Sequence, residues 1–470
     1  MGCLCATSLN DQQKTITRRN TYSLNTECTD LNLNSFTGYR KFKSEYKIQA
    51  DPIGLGSLGK VYLCNHIATN KVFAVKVVSK AGLSSNYLKN HVIEGQVKMI
   101  QQLNHPSILK IFDFFYDPNN FYIVMEYVKG GDLVDKVAEC GPFTEQKAAN
   151  VMKQIFCSLG YLHKKGIVHR DVKCENILVE EEEKVKGDNK EMIIKLIDFD
   201  TVAKLNTGEK LKGLYGTVYY MAPELISGLY TEKCDLWSAG IVLYSLITQN
   251  FPFGGESEQA IMWSIRNFKG DQNLMKKHKI SNELNHLILS LLNPDPDKRL
   301  SAQVAINHPW IRKFASAQVP TTLKLPPSGP ESNIRQALKI WALKMMVPSF
   351  ELAEYQMMFI NMDQDLDGIV DIGELVEGNE SCGKKVLGAE CFGDKGLGFH
   401  EFASFVVPGE VLGKYSGQIL EELDKDRSGK LSIKHLMMFL EEHVRVDDWF
   451  RNQDNSGEIT NGEILNLISG

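Results

Sequence analysis

A chain of 470 residues is too long for one hydrophobic core, so several domain-sized units are expected. Its 53 basic and 58 acidic side chains, with 43% hydrophobic and 24% charged residues, fit an ordinary globular protein and exclude both a disordered chain and a nucleic-acid-coating one. The ten cysteines lack CxxC or Cys/His metal spacing, so reduced thiols in a cytoplasmic setting are expected, and the longest apolar stretch, Leu236 to Ile247, is too short to cross a bilayer.

Residues 1–44 are rich in Asn, Thr, Ser and basic side chains, which reads as a flexible arm. Gly2 followed by Cys3 and Cys5 looks like a myristoylation site with neighbouring palmitoylation cysteines, although Ala6 stands where Ser or Thr is usual. Because one acyl chain binds only marginally, a second chain or Lys14, Arg18 and Arg19 would be needed to hold the arm on the cytosolic face of a membrane. Residues 45–314 begin with β-type alternation, as in Val61-Tyr62-Leu63 and Val72-Phe73-Ala74-Val75, and turn to helical periodicity after Phe143. A small β lobe before a larger helical lobe is therefore predicted, with a charged surface insertion at Glu180 to Lys190. Residues 315–348 are a proline-containing linker followed by an amphipathic basic helix, Ile334 to Met346. Residues 349–470 are acidic, glycine-punctuated and helical in period.

Gly54, Gly56 and Gly59, followed by Val61, place glycines where a loop brings backbone amides against phosphates, an approach that a Cβ would block. Alone this pattern also fits a dinucleotide site or a plain glycine turn. Four further motifs follow in order: Ala74-Val75-Lys76, His169-Arg170-Asp171-Val172-Lys173-Cys174-Glu175-Asn176, Asp198-Phe199-Asp200 and Ala222-Pro223-Glu224.

On these residues Tyr46 to Phe314 resembles the eukaryotic protein kinase family. The resemblance implies that Lys76 holds the phosphates of ATP, Asp198 and Asn176 ligate Mg²⁺, and Asp171 accepts the substrate proton while Lys173 offsets phosphoryl charge. It aligns Met125 with the gatekeeper, Glu126 to Val128 with the adenine hinge, and Asp235 and Arg299 with structural ion pairs. Lys173 and Thr217 look like the Ser/Thr-specific subfamily, and Asp132 and Glu175 align with acidic positions that receive a substrate arginine. Two positions depart from the pattern. The residue expected to be the glutamate partner of Lys76 is Gln96, and Glu94 faces elsewhere because two residues along a helix rotate by roughly 200°. The glycine that ends the magnesium motif is Asp200, which loses a permissive backbone position and adds a carboxylate.

Asp363 to Glu374 matches the twelve-residue EF-hand loop at every ligand position: Asp363, Asp365, Asp367, the Ile369 carbonyl, Asp371 and Glu374, with Gly368 at the turn. A second candidate offers Asn452, Asp454, Ser456, Glu458 and Glu463, with fewer carboxylates and hence weaker binding expected. The loop Asp424 to His435 starts well with Asp424, Asp426 and Ser428, but His435 replaces the bidentate glutamate. A further relic ends at Glu401-Phe402, with Phe392 and Lys395 at a ligand and the turn position. Val370, Leu397, Leu431 and Ile459 fall at position 8, where paired loops share a β bridge.

Four EF-hand-like repeats behind a kinase resemble the calcium-dependent protein kinases of plants and protists, over Tyr46 to Gly470. The expected fold is a two-lobed α+β kinase domain followed by an all-α EF-hand domain, with ATP, Mg²⁺ and Ca²⁺ as cofactors. The resemblance implies phosphoryl transfer to protein Ser/Thr hydroxyls, with Ile334 to Met346 blocking the substrate cleft until calcium releases it; a helix that merely packs on the EF-hand domain is the other reading. Gln96 and Asp200 keep a rival open, a membrane-tethered calcium sensor that binds nucleotide but turns over slowly.

Overall fold

The computed structural model describes residues 42–56, 58–85, 88, 91–180, 192–271, 274–275, 278–315, 330–347, 349–371, 373–374, 396–424, 428, 430–432, 436, 440 and 458–469. Residues 1–41 of the arm with Gly2, Cys3 and Cys5, the insertion from residue 181, and Phe392, Lys395, Asp426, His435, Asn452, Asp454 and Ser456 lie outside the described residues. Phe42 to Ser44, expected in the flexible arm, are helical because the Phe42 ring is buried against the small lobe. No helix among the described residues is long and apolar enough to cross a membrane.

In the small lobe, α1 (Phe42–Glu45) leads into β1 (Tyr46–Leu55), β2 (Lys60–His66) and β3 (Val72–Ser79). Helix α2 (Val92–Gln101) then precedes β4 (Ile111–Tyr116) and β5 (Asn120–Met125). The strands form one antiparallel sheet in the order β1-β2-β3-β5-β4. Valine, isoleucine and aromatic residues suit such a pleated surface. Phe42, Tyr46, Phe73 and Phe115 close one face of the sheet. Central β3 is buried over Phe73, Ala74 and Val75, and the next residue is Lys76, a buried cation that must find an anion.

The large lobe contains α3 (Leu133–Cys140), α4 (Glu145–Lys164), the short strands β6 (Ile167–Val168), β7 (Ile177–Val179), β8 (Ile194–Leu196), β9 (Ala203–Lys204) and β10 (Leu211–Lys212), and α5 (Pro223–Ile226). It continues through β11 (Leu229–Tyr230), α6 (Lys233–Thr248), α7 (Glu258–Asn267), α8 (Asn282–Leu291), α9 (Ala302–Ile306) and α10 (Pro309–Phe314). Thr144 caps α4 by accepting the Lys147 amide at 3.3 Å. The apolar stretch singled out in the sequence lies in α6, which is buried on all sides at the centre of this lobe.

The last unit opens with α11 (Pro330–Met345) and α12 (Ala353–Met362), followed by β12 (Ile369–Val370), β13 (Leu397–Gly398), α13 (Phe399–Val406), α14 (Gly409–Gly413) and α15 (Ser416–Leu423). It ends with β14 (Lys430–Ser432), β15 (Glu458–Thr460) and α16 (Asn461–Ser469). As the spacing predicts, Val370 faces Leu397 and Leu431 faces Ile459 across two antiparallel bridges.

The helix expected in the substrate cleft is elsewhere. Ala337, Leu338, Trp341, Ala342 and Met346 form an apolar stripe inside the core of the last unit, with Phe359, Phe399, Phe402, Ile419, Ile464 and Leu467. Such a stripe, wide for one surface, is best buried by the helices of two paired loops at once. The end of α11 also meets the small lobe, where Lys71 Nζ donates to the Met345 carbonyl.

Candidate functional site

The glycine loop joins β1 to β2 and folds back on itself, with the Gly56 amide 2.8 Å from the Gly59 carbonyl. A Cβ at Gly59 would lie 2.2 Å from the Val77 carbonyl, so only glycine fits. A Cβ at Gly56 would stand 3.2 Å from Lys76 Cε, which places the loop over that side chain. Gly54 has room, its nearest neighbour being Val61 at 3.9 Å.

Register fixes Lys76 between Val61 of β2 and Ile123 of β5. Its Nζ lies 3.0 Å from Asp198 Oδ1 and 2.5 Å from Asp200 Oδ2. Burial alone would lower the lysine pKa, but Asp200 and then Asp198 hold it above its ordinary value. Burial also opposes ionisation of Asp198, yet the Lys76 charge outweighs it and holds that carboxyl at about 2.

The two departures read in the sequence take a different form here. Gln96 Nε2 donates to the Asp200 backbone carbonyl at 2.8 Å and not to Lys76. Asp200 sits in a single 3₁₀ turn, Phe199–Thr201, and is not among the residues of positive φ, so replacing glycine costs no left-handed backbone. Asp198 is the residue with positive φ, at 62°. Glu94 turns away to His91 at 3.2 Å, as the helix geometry predicts.

Asp171 is fixed from three sides. Lys173 Nζ is 2.7 Å from its Oδ2, Thr217 Oγ1 donates to Oδ1 at 2.9 Å, and Asn176 Nδ2 donates to Oδ2 at 3.1 Å and to the backbone carbonyl at 2.8 Å. Lys173 also reaches Thr217 Oγ1 at 2.8 Å, and the nearby Asp171 charge outweighs burial to raise the lysine pKa. With its nitrogen engaged, Asn176 has its amide oxygen left for a cation, and Asp198 offers a carboxylate; both are hard donors suited to Mg²⁺.

Asp235 was expected in an ion pair, but its main work is on the backbone. It accepts the amides of His169 at 2.9 Å and Arg170 at 2.8 Å, plus His163 Nε2 at 2.9 Å, and so anchors the loop bearing Asp171. Arg299 does form the expected pair, a two-pronged contact with Glu224 at 2.5 and 2.9 Å. Glu126 points its carboxylate to Lys195 at 3.2 Å, which leaves the 126–128 backbone to line the hinge with buried Val128. Asp132 caps α3 through the Asp135 amide at 2.9 Å, and Glu175 accepts from Tyr220 at 3.3 Å. Burial is the first cause raising the pKa of both carboxyls.

In the first EF-hand loop, Asp363, Asp365 and Glu374 bring carboxylate oxygens within 4.8 Å of one another. Backbone amides fold the loop around them: Gly368 onto Asp363 at 3.0 Å, Ile369 onto Asp367 at 2.7 Å, and Gln364 onto Glu374 at 2.7 Å. Glu374 closes the loop by donating its own amide to Asp371 at 2.8 Å. Burial, then Glu374 and Asp367, push Asp363 up to about 7, as expected where anions converge. Hard oxygens in this spacing fit Ca²⁺. In the other pair, Asp424 accepts Ser428 N at 3.0 Å and Asn461 Nδ2 at 2.7 Å, while Glu463 accepts Thr460 N at 2.8 Å; Glu458 is described only as part of β15.

Sequence reasoning missed how this loop meets the large lobe. Leu366, at position 4, has φ 65° and is buried, and a Cβ added at Gly160 of α4 would lie 2.4 Å from its Cδ1. Gly368 presses on Tyr161, and Lys164 pairs with Asp365 at 2.9 Å. An apolar residue at a loop position facing outward, and a glycine inside a long helix, were the available signals.

Residues 48–311 match the protein kinase domain as a family, which defines the class of the two lobes. Over 468 residues the chain is 31% identical to calcium-dependent protein kinase 4 of Plasmodium berghei, covering 91% of this chain and 87% of that one. The corresponding figures are 31% over 447 residues, 91% and 80% for calcium-dependent protein kinase 4 of Plasmodium falciparum, and 30% over 434 residues, 87% and 78% for calcium-dependent protein kinase 14 of Arabidopsis thaliana. The chain belongs to the calcium-dependent protein kinase family.

Proposed function

We propose that this chain transfers the γ-phosphoryl group of ATP to Ser and Thr hydroxyls of protein substrates, under the control of calcium bound to its EF-hand loops. The observation that carries the reading is the fixed carboxylate of Asp171, oriented by Lys173, Thr217 and Asn176. Phosphoryl transfer is largely positioning and charge neutralisation, which is what these groups supply. Asp171 orients the hydroxyl and takes its proton. Lys173 balances charge on the group in transit, and Lys76 with the amides around Gly54, Gly56 and Gly59 holds the phosphates. Asp198 and Asn176 would hold Mg²⁺, whose charge neutralises the phosphate oxygens when bound. The backbone at Glu126 to Val128 receives adenine. Asp132 and Glu175 form an acidic site for a substrate arginine, supported by the neutral donors on their carboxylates, the Asp135 amide and the Tyr220 hydroxyl.

Asp363, Asp365, Asp367, the Ile369 carbonyl, Asp371 and Glu374 are the stronger calcium set; Asn452, Asp454, Ser456, Glu458 and Glu463 are the weaker. The burial of α11 in the EF-hand core supports reading the present arrangement as the released one, with occupation of the substrate cleft as the resting alternative. The working division is 1–44, 45–314, 315–348 and 349–470, with the first segment acylated at Gly2 and Cys3 or Cys5 and resting on a membrane surface.

The test is phosphate transfer from ATP and Mg²⁺ to an arginine-containing Ser/Thr peptide, with free calcium and with chelator. Turnover should rise with calcium and fall by ~10²–10⁴-fold in Asp171→Asn. Activity no higher than that variant, with calcium binding intact, would establish a sensor without useful turnover.

A further inference from the structure

Lys76 is buried in the centre of the sheet, so its charge must be met by protein carboxylates until nucleotide arrives. Two are in reach, at unequal distances: Asp198 at 3.0 Å and Asp200 at 2.5 Å. Asp198 has a second duty, because it is also the carboxylate offered to Mg²⁺. Once a divalent cation draws on Asp198, Asp200 is the remaining carboxylate on the lysine. Helix α2 sends no carboxylate to Lys76; Gln96 instead holds the backbone of Asp200 at 2.8 Å. The amide at 96 and the carboxylate at 200 thus complement each other, since one supplies the tether and the other the charge.

We infer that Asp200 is the positioning carboxylate of Lys76, and that Gln96 locks it in place from α2 through the Asp200 carbonyl. The link from β3 to α2 therefore runs through the segment after Asp198, in two steps, in place of one direct ion pair. Movement of α2 displaces Asp200 first and Lys76 through it. The same geometry explains why Asp200 costs no backbone strain, since the 3₁₀ turn it occupies keeps φ negative. Glycine at this position would leave Lys76 with Asp198 alone among these carboxylates.

This inference rests on the phosphotransfer reading above, and a cycle of variants in the whole chain tests it separately. Wild type, Asp200→Gly, Asp200→Asn, Gln96→Glu and Gln96→Glu/Asp200→Gly are compared by kcat, by KM for ATP, and by calorimetric affinity for ATP without magnesium. Both Asp200 variants are expected to lose at least about tenfold in kcat (~1.4 kcal/mol) and to weaken magnesium-free ATP binding. The double variant, with a carboxylate returned from α2, is expected to recover to within about threefold of wild type in both readouts. Asp200→Asn keeps the side-chain shape, so it separates loss of charge from a folding defect. The inference is overturned if Asp200→Gly retains wild-type kcat, or if the double variant is no better than Asp200→Gly. It is also overturned if excess magnesium restores the Asp200 variants, which would make Asp200 a metal ligand. If the wild type does not turn over, the phosphotransfer reading fails, while the magnesium-free affinities still decide the role of Asp200.

Discussion

The nucleotide cleft and the first EF-hand loop are both partly buried clusters of carboxylates, yet they are driven in opposite directions. In the cleft, Lys76 stands between Asp198 and Asp200, and Asp198 is held at about 2. In the loop, Asp363, Asp365 and Glu374 converge under backbone amides, the nearest lysine, Lys164, pairs with Asp365 at the exposed edge, and Asp363 rises to about 7. Burial acts against the charged form in both places, so the nearest cation decides the sign. A cluster with a buried lysine at its centre is organised before a ligand arrives, whereas one whose lysine sits at the exposed edge gains most from a cation supplied by solvent. The first suits catalysis, which needs preorganised charge, and the second suits a sensor, whose order should depend on the ion.

The most severe way to break this contrast is to make the cleft resemble the loop. Lys76→Met leaves Asp198 and Asp200 facing each other uncompensated, and the kinase lobes should lose ~3–5 kcal/mol of stability. A denaturation midpoint that stays put would mean that the lysine is not what holds these carboxylates. Next in size is the seam between the two regions. Leu366→Ala removes the side chain seated on Gly160, with an expected loss of ~2–3 kcal/mol in docking. Small-angle scattering should show a more extended chain, and an unaltered profile would assign the docking to other contacts. The loop itself is sharpened by Glu374→Gln, which should weaken the tightest calcium step by about tenfold or more, ~1.4 kcal/mol per decade. An unchanged titration would move the strongest site to the other loop pair. The smallest effect belongs to Lys164→Ala, since its pair with Asp365 lies at the exposed edge of the seam; ~1 kcal/mol is the ceiling. Calcium should bind this variant as well as or slightly more tightly than wild type, because Asp365 no longer shares its charge with a lysine.

Much of the site was legible because its chemistry is written in short segments. The glycine loop, the segment His169 to Asn176 and the twelve-residue loop from Asp363 each carry their donors within a dozen residues, where spacing alone fixes geometry. The bridges Val370 to Leu397 and Leu431 to Ile459 followed from position 8 for the same reason. Gln96 and Asp200 were each visible as a departure, but nothing local tied one to the other. The amphipathic character of α11 was equally plain, and its partner was not, because an apolar stripe states that a face will be covered without saying by what.

The sequence by itself therefore determined the class of fold and the spacing of the candidate catalytic and calcium-binding side chains, both consequences of periodicity and short-range spacing. Only the tertiary structure decided that Lys76 answers to Asp200 across 124 residues, that Leu366 of a calcium loop seats on Gly160 of α4, and that α11 packs in the EF-hand core. Those three outcomes are choices among competing partners for one buried charge, one buried side chain and one apolar face. Such competition is settled by desolvation and packing over the whole chain, which no local segment encodes.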